Sequence, residues 1–511
     1  MFRKILIANR GEIAVRVIRA CRELGIRAVA VYSDVDRDSL HVRYADEAHP
    51  CGAPPARESY LVMDRMIEIA KRAGADAVHP GYGFLAENGD FADLCAREGI
   101  AFVGPRGDVI RAMGDKVTAR QTMQKAGVPI VPGTTERLSD AQITEWIREI
   151  GPPVMIKASA GGGGKGMRLV RQDSEVAKAI ARARGEARSS FGDDGLYVEK
   201  FVERPRHIEI QVLADSHGNT IHLFERECSI QRRHQKVIEE APGNGIGPEL
   251  RERMGKAAVA AAQAVGYVGA GTCEFLVDKS GNFYFLEMNT RVQVEHAITE
   301  AITGIDIVKT MIRAAAGEPL GIAQDQVRLH GHAIEARIYA EDPDVNFAPS
   351  PGLIGVYRPA GGIGVRVDSG VYQGATVTVH YDPMVAKLVT WGIDRQEALD
   401  RLERALFEFV VKGIKTSIPF HQRVVRHPVF REGRYDTGFI DEYMDGGSGG
   451  AFEDPDQDEV RRVAFVLAAI AAYRRDKQQA ARAATGAAGH GGGQDPWKAF
   501  GRRLQMRGGL G

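Results

Sequence analysis

Short apolar runs alternate with helical patterns along the first 110 or so residues. Lys4–Ala8 is such a run, stopped by Asn9-Arg10-Gly11. Ala14, Val17, Ile18, Cys21 and Leu24 then recur every three or four positions, one face of a helix closed by Gly25. Ala28–Tyr32 is the next strand, and the resulting βαβ unit predicts a parallel sheet. The alternation continues through Ile67–Ala70, Ala75–Val78 and Ile100–Gly104.

Farther on the pattern changes. Residues 130–203 predict two helices and a glycine-rich hairpin between strands. From about 204 to 330, strands come first, at His207–Leu213, His222–Arg226, Gly271–Asp278 and Asn282–Met288. Helical spacing returns at Arg251–Ala264 and Ile305–Ala316. Residues 331–445 carry more β pattern and a helix near Arg395–Phe409. At Gly446–Gly450 the composition becomes that of a flexible linker. Beyond it, acidic residues from Glu453 to Glu459 precede a stripe of Val460, Val463, Leu467 and Ile470, as suits a helix start. A short basic end follows, with Trp497, Phe500, Arg502, Arg503 and Arg507. The expected segments are 1–113, 114–330, 331–445, and an extension at 446–511.

Composition narrows the class. The 511 residues include 67 Lys plus Arg and 67 Asp plus Glu, a balance that argues against a nucleic-acid or anionic-membrane partner. The longest apolar run, Val463–Tyr473, has 11 residues, short of the roughly 20 that span a bilayer. Five scattered cysteines without a C-x-x-C pair, and no signal-peptide pattern ahead of the first strand, lead us to expect a cytoplasmic protein. Glycine is in excess at 59 residues, so its placement is informative.

Four of those glycines are consecutive, in Val154–Val170. Gly161, Gly163 and Gly166 match G-x-G-x-x-G, but the string is followed by the alternating Met167–Val170 rather than by a helix, so it is no Rossmann turn. It reads as a hairpin whose tip, including Gly162, Gly163 and Gly164, presents backbone N–H groups to phosphates, with Lys157 adding a cation. A second hairpin brings acids together. If Asp278 pairs with Phe283 across Lys279-Ser280-Gly281, Glu274 falls directly opposite Glu287, with Asn289 on the same face. Facing carboxylates plus an amide suit Mg²⁺ or Mn²⁺ beside a nucleotide. In Asn289–His296, the residues Arg291, Gln293 and Glu295 share a parity, giving two donors for a planar oxyanion and a candidate general base. Gln231–Lys236 is a cationic segment among acids, which fits polyphosphate or bicarbonate better than nucleic acid.

Taken together, Ala8–Ala14, Gly81–Leu85, the Gly161–Gly164 flap, Gln231–Lys236, Glu287–His296 and Tyr381–Met384 resemble the biotin carboxylase family of ATP-grasp ligases, in order over residues 1 to about 445. The resemblance implies an α/β fold, α+β overall. It would comprise an N-terminal doubly wound domain, an ATP-grasp domain with its lid, and a mixed C-terminal domain, followed here by a helical extension. It implies ATP- and bicarbonate-dependent carboxylation of biotin on a separate carrier protein, with two Mg²⁺ or Mn²⁺ ions, carboxyltransferase partner subunits and a homodimer. By resemblance, Lys116, Lys157 and His207 contact phosphates, Glu199 and Lys200 form the adenine hinge, and Gln231 and His234 contact the nucleotide. Glu274, Glu287 and Asn289 hold metal. Lys236, Arg291, Gln293 and the Val294 backbone bind bicarbonate, Glu295 is the base, and Arg337 lies beside the biotin ureido group. The alternatives are another ATP-grasp ligase joining a carboxylate to an amine, and a catalytically silent nucleotide-binding scaffold. The Arg291–Glu295 segment and Arg337 speak against the first, and the presence of every expected charged group speaks against the second. No Met-Lys-Met string that would carry biotin occurs in the chain.

Overall fold

In the computed structural model, residues 1–159 and 166–444 are described, together with residues 466, 472, 473 and 475. The chain divides into two units, Met1–Phe452 and Glu453–Gly511. Of the second, Val466, Ala472, Tyr473 and Arg475 are helical. The linker, the stripe at Val460, Val463, Leu467 and Ile470, and the basic end lie outside the described residues, as does the glycine tip with Gly162, Gly163 and Gly164.

Apolar runs at the N-terminus become β1 (Lys4–Ile7), β2 (Arg27–Ser33), β3 (Glu47–Gly52), β4 (Ala77–His79) and β5 (Ala101–Phe102). They form a parallel sheet in the order β3-β2-β1-β4-β5. The helix Gly11–Glu23 buries Ala14, Val17, Ile18 and Cys21, the face expected from their spacing. Ile67–Ala70 belongs to the helix Met63–Ala73. Strand order reverses between β1 and β4, and open α/β sheets bind ligands beyond the carboxyl ends of strands at such a point.

A smaller antiparallel sheet follows, β6 (Val154–Ala158), β7 (Met167–Val170) and β8 (Leu196–Lys200), with β6 in the middle. Helices Asp140–Ile150 and Val176–Phe191 share its core through Ile143, Ile147, Ile180 and Ala183.

An eight-stranded antiparallel sheet then carries most of the polar chemistry. Its strands are β9 (Arg206–Ala214), β10 (Thr220–Arg232), β11 (Gln235–Ala241), β12 (Gly269–Val277), β13 (Phe283–Asn289), β14 (His332–Tyr339), Val365–Ser369 and Met384–Gly392. The order is β13-β12-β9-β10-β11-β14, then Met384–Gly392 and Val365–Ser369 at the edge. Because β11 pairs with β14, the sheet runs without a break across residue 330.

Two expectations are corrected here. The strand expected at His222–Arg226 extends to Arg232, and β11 follows it, joined by a two-residue turn with positive φ at Arg233 (49°) and His234 (65°). Both strands bury Glu225, Arg226, Glu227, Ser229, Glu239 and Glu240, which erases the apolar alternation that marks a strand in sequence. The β12–β13 register also differs. Val277, not Asp278, pairs with Phe283, and Asp278 instead accepts the Ser280 and Asn282 backbone N–H groups at 2.8 and 2.9 Å. An irregularity at Leu286 adds one residue on β13, so Glu274 still faces Glu287.

Candidate active site

The loops after β1 and β4 are laced together at the strand-order reversal. The Asn9 Nδ2 donates to the carbonyls of Pro80 and Tyr82, both at 2.7 Å. Gly81 passes beneath it with φ at +64°, and a Cβ there would lie 2.8 Å from that nitrogen. These loops form one wall of a cavity of about 1200 Å³, with Arg10, Tyr82 and Phe84. The opposite wall carries Lys116, Lys157, Glu199 and Lys200, and the large sheet supplies His207, Gln231, His234, Lys236, Glu274, Glu287, Asn289 and Arg337. Arg291, Gln293 and Val294 also line it. Glu295 does not. The chain turns at Val294-Glu295 into the helix His296–Thr303, so the shared parity ends there and Glu295 is fully buried.

Charge in the floor converges on one ammonium. The Lys236 Nζ donates to Glu209 Oε2 at 2.5 Å, Glu295 Oε1 at 2.7 Å and Glu274 Oε1 at 2.8 Å. Glu209 is in turn held by the fully buried Arg226 at 2.5 Å. The other oxygen of Glu295 accepts from Arg337 Nη2 at 3.0 Å, while Arg337 Nε donates to Glu239 at 2.6 Å. Burial opposes ionisation of Glu295, but Lys236, Arg337 and Arg226 together hold its carboxyl well below the usual range. Burial likewise opposes the Lys236 charge, and Glu209, Glu274 and Glu295 override it, raising the ammonium well above its ordinary value.

Glu274 accepts from Lys236 at 2.8 Å and from Asn289 Nδ2 at 2.9 Å, and its other oxygen lies 3.0 Å from His207 Nε2 as an ion pair. Against the cost of burial, Lys236 and His207 keep it ionised. Across the ladder Glu287 has no ion pair among the described residues. Burial and the Glu274 charge push its carboxyl up, with Lys116 pulling the other way. Two opposed carboxylates, one without a counter-charge, are hard oxygen donors that fit Mg²⁺ or Mn²⁺. The Asn289 oxygen accepts from Arg291 Nη2 at 3.0 Å, so this residue links the acid pair to the next pocket.

That pocket is built for an anion. Arg291 is anchored by Glu87 through Nε at 2.8 Å and by the Gln293 oxygen at 3.0 Å. The Gln293 Nε2, buried, has no hydrogen-bond partner among the described residues, leaving a free donor beside the guanidinium. Val294 is fixed from behind, its carbonyl accepting from the fully buried Lys387 at 2.6 Å.

On the three-stranded sheet Lys157 is ion-paired with Glu199, which also accepts from Arg120 at 3.1 Å. Lys200 donates to the Gly151 carbonyl at 3.0 Å. The His207 Nδ1 meets Gln231 at 3.0 Å, and exposed His234 sits on the tip of the β10–β11 turn. Sequence reasoning missed Glu87, Arg120, Glu209, Arg226 and Lys387. Glu87, Arg120, Glu209 and Lys387 hold Arg291, Glu199, Lys236 and Val294 from distant stretches of chain, Arg226 in turn holds Glu209, and none has a local motif.

Three domain families match in order: "Biotin carboxylase, N-terminal domain" over residues 1–110, "Carbamoyl-phosphate synthase L chain, ATP binding domain" over 115–323, and "Biotin carboxylase C-terminal domain" over 335–442. A biotin carboxylase of Nostoc is 56% identical over 442 residues, covering 86% of this chain and 99% of its own. The chain belongs to the biotin carboxylase family. One pyruvate carboxylase subunit, from Methanothermobacter thermautotrophicus, is 58% identical over 447 residues, covering 87% of this chain and 91% of its own. Propionyl-CoA carboxylase alpha chain of Ruegeria pomeroyi is 51% identical and covers 93% of this chain and 73% of its own, so that match reaches into the extension. Among solved structures, the biotin carboxylase domain dimer of Hydrogenobacter thermophilus 2-oxoglutarate carboxylase, bound to MgADP, ADP and bicarbonate, is similar with a TM-score of 0.84. It is 49% identical and covers 86% of this chain and 98% of its own.

Proposed function

We propose that this biotin carboxylase family member uses ATP and bicarbonate to carboxylate biotin presented by a separate carrier protein, with the cleft residues in the roles below. The observation that carries the reading is the contiguity of three sites at one cleft: the opposed Glu274 and Glu287, the Arg291–Gln293 anion pocket, and Lys236 and Arg337 with Glu295 held between them just behind the cleft wall.

Lys116, Lys157 and His207 neutralise the triphosphate, Gln231 and His234 complete the nucleotide site, and Glu199 and Lys200 form the hinge. Glu274, Glu287 and Asn289 would hold Mg²⁺, which supplies charge neutralisation to the transferring phosphoryl group. Bicarbonate sits against Arg291, the Gln293 amide and the Val294 backbone, with Lys236 as a further cation. Its arrival draws Lys236 away from Glu295, since one ammonium is then shared with a substrate anion. Glu295 takes the bicarbonate proton as the oxygen attacks the γ-phosphorus, giving carboxyphosphate and ADP. Carboxyphosphate splits to CO₂ and phosphate inside the closed cleft, where exclusion of water prevents its hydrolysis. The released phosphate removes the biotin N1′ proton, and Arg337 stabilises the ureido oxyanion while the nitrogen attacks CO₂.

We assign residues 1–113 to the N-terminal domain, 114–330 to the ATP-grasp domain with its lid at 131–203, and 331–445 to the C-terminal domain. We further propose a homodimer working with carrier and carboxyltransferase subunits in the cytoplasm. The relatives' names differ in acceptor, which fits a transferase subunit choosing it. The test is transfer of radiolabelled bicarbonate to carrier-bound biotin. Label on the carrier that requires ATP and Mg²⁺ supports the reading, whereas ATP-dependent ligation of an amine without label on biotin replaces it by the rival ligase.

A further inference from the structure

A second pair of acids faces across the ladder, on β11 and β14. Glu239 is paired in register with Glu335, and both are fully buried. Opposed positions put Cβ atoms about 5 Å apart. Glu239 Oε1 accepts from Arg337 Nε at 2.6 Å, but its Oε2 has no hydrogen-bond partner among the described residues, and neither does either oxygen of Glu335. Three buried, unpartnered acceptors side by side are costly unless a proton lies among them.

The surrounding charges support this. Glu239 comes from β11 and Glu295 from the turn after β13, while Arg337 stands on the same strand as Glu335. Lys387, on the neighbouring strand Met384–Gly392, is bonded to the Val294 carbonyl and lies 3.5 Å from Glu12 and 3.9 Å from Asp368, so it gives Glu335 no direct ion pair. His296, from the following helix, is itself buried and kept neutral by its burial and by Lys387. Burial, with Lys387 opposing, raises Glu335 well above the usual carboxylate range, and burial raises Glu239 to about 7.

We propose that Glu335 is a neutral carboxylic acid whose O–H donates a hydrogen bond to Glu239 and that it thereby acts as a positioning residue for Arg337. Glu239 then accepts from two donors and grips the guanidinium from behind, fixing the face that Arg337 turns toward Glu295 and the cleft. The kinetic consequence rests on Arg337 acting at the biotin ureido group, whereas the protonation state does not.

Infrared difference spectroscopy of wild type against Glu335→Gln at pH 8 tests the acid, and kinetics test the positioning. A carboxylic-acid carbonyl band that shifts in heavy water and vanishes in Glu335→Gln is expected. Glu335→Leu, which cannot donate, is expected to lower kcat for biotin carboxylation on the order of tenfold, the size of one charge-assisted hydrogen bond, with KM for ATP unchanged. Glu335→Gln, which keeps an N–H donor, restores it. Absence of the band, or equal impairment of the Gln and Leu variants, overturns the proposal. If wild type itself carboxylates no biotin, the functional reading has failed, and the band alone decides the state of Glu335.

Discussion

At the scale of single residues the cleft is organised by a few buried ions whose charges are shared. Lys236 serves three carboxylates at once, so Lys236→Met should leave Glu209, Glu274 and Glu295 crowded without their common cation. Breaking a buried charge cluster in this way costs roughly 3–5 kcal/mol. Denaturant titration should show that loss, and bicarbonate-dependent turnover should fall by more than stability alone explains. Histidine 421 makes a pH prediction. It is fully buried, its ring meets the Arg337 carbonyl at 2.7 Å, and burial lowers it from 6.5 to about 4. Between those values the unfolded chain is protonated there and the folded chain is not, so stability falls as pH drops from about 6.5 toward 4. A shift of that size corresponds to roughly 3 kcal/mol. His421→Gln should flatten the dependence of unfolding free energy on pH in that window, and an unchanged slope would show that another group sets it. The residues legible in sequence were those bunched in short motifs, such as Glu287, Asn289, Arg291 and Gln293. Glu87, which anchors Arg291, and Lys387, which holds the neighbouring Val294 carbonyl, are isolated in the chain and meet the site only through the tertiary fold.

At the scale of elements, what could be read from sequence depended on whether a strand's buried face was apolar. β1, β2 and β12 show regular apolar patterns and were found, whereas β11 places Glu239 inside the sheet and was hidden. The Glu274–Glu287 pairing followed from a register that is wrong by one at the turn and corrected by the Leu286 irregularity, a backbone feature with no residue signature. Glycine 81 shows the opposite case, where one residue type is dictated by geometry. Gly81→Ala would put a Cβ at positive φ and against Asn9 Nδ2. The αL penalty plus a weakened brace should cost on the order of 2 kcal/mol. A lower denaturation midpoint with unchanged denaturant slope would confirm this, and a midpoint equal to wild type would mean the loops yield freely.

At the scale of the whole molecule, a parallel sheet and an antiparallel one bring their ligand-facing edges to one cavity. The switch point between β1 and β4 supplies one wall, and the eight-stranded sheet supplies ions and acids. All three sites stand on the eight-stranded sheet and the loop after β13, while the parallel-sheet side adds Arg10, Tyr82, Phe84 and, through Glu87, the anchor of Arg291. Sequence pattern identified both halves but not their shared cavity, because the order of an eight-stranded sheet crossing residue 330 is set by long-range pairing such as β11 with β14. The central claim is that Glu295, ionised and held by Lys236 and Arg337, takes the proton of bicarbonate. The most direct measurement is ADP release with Mg²⁺, bicarbonate and free biotin for wild type and Glu295→Gln, alongside the affinity of each for ATP. Loss of a general base predicts a fall of about 10²–10⁴-fold in bicarbonate-dependent release, with ATP affinity retained. Turnover near wild type in Glu295→Gln, or release indifferent to bicarbonate, would contradict the account.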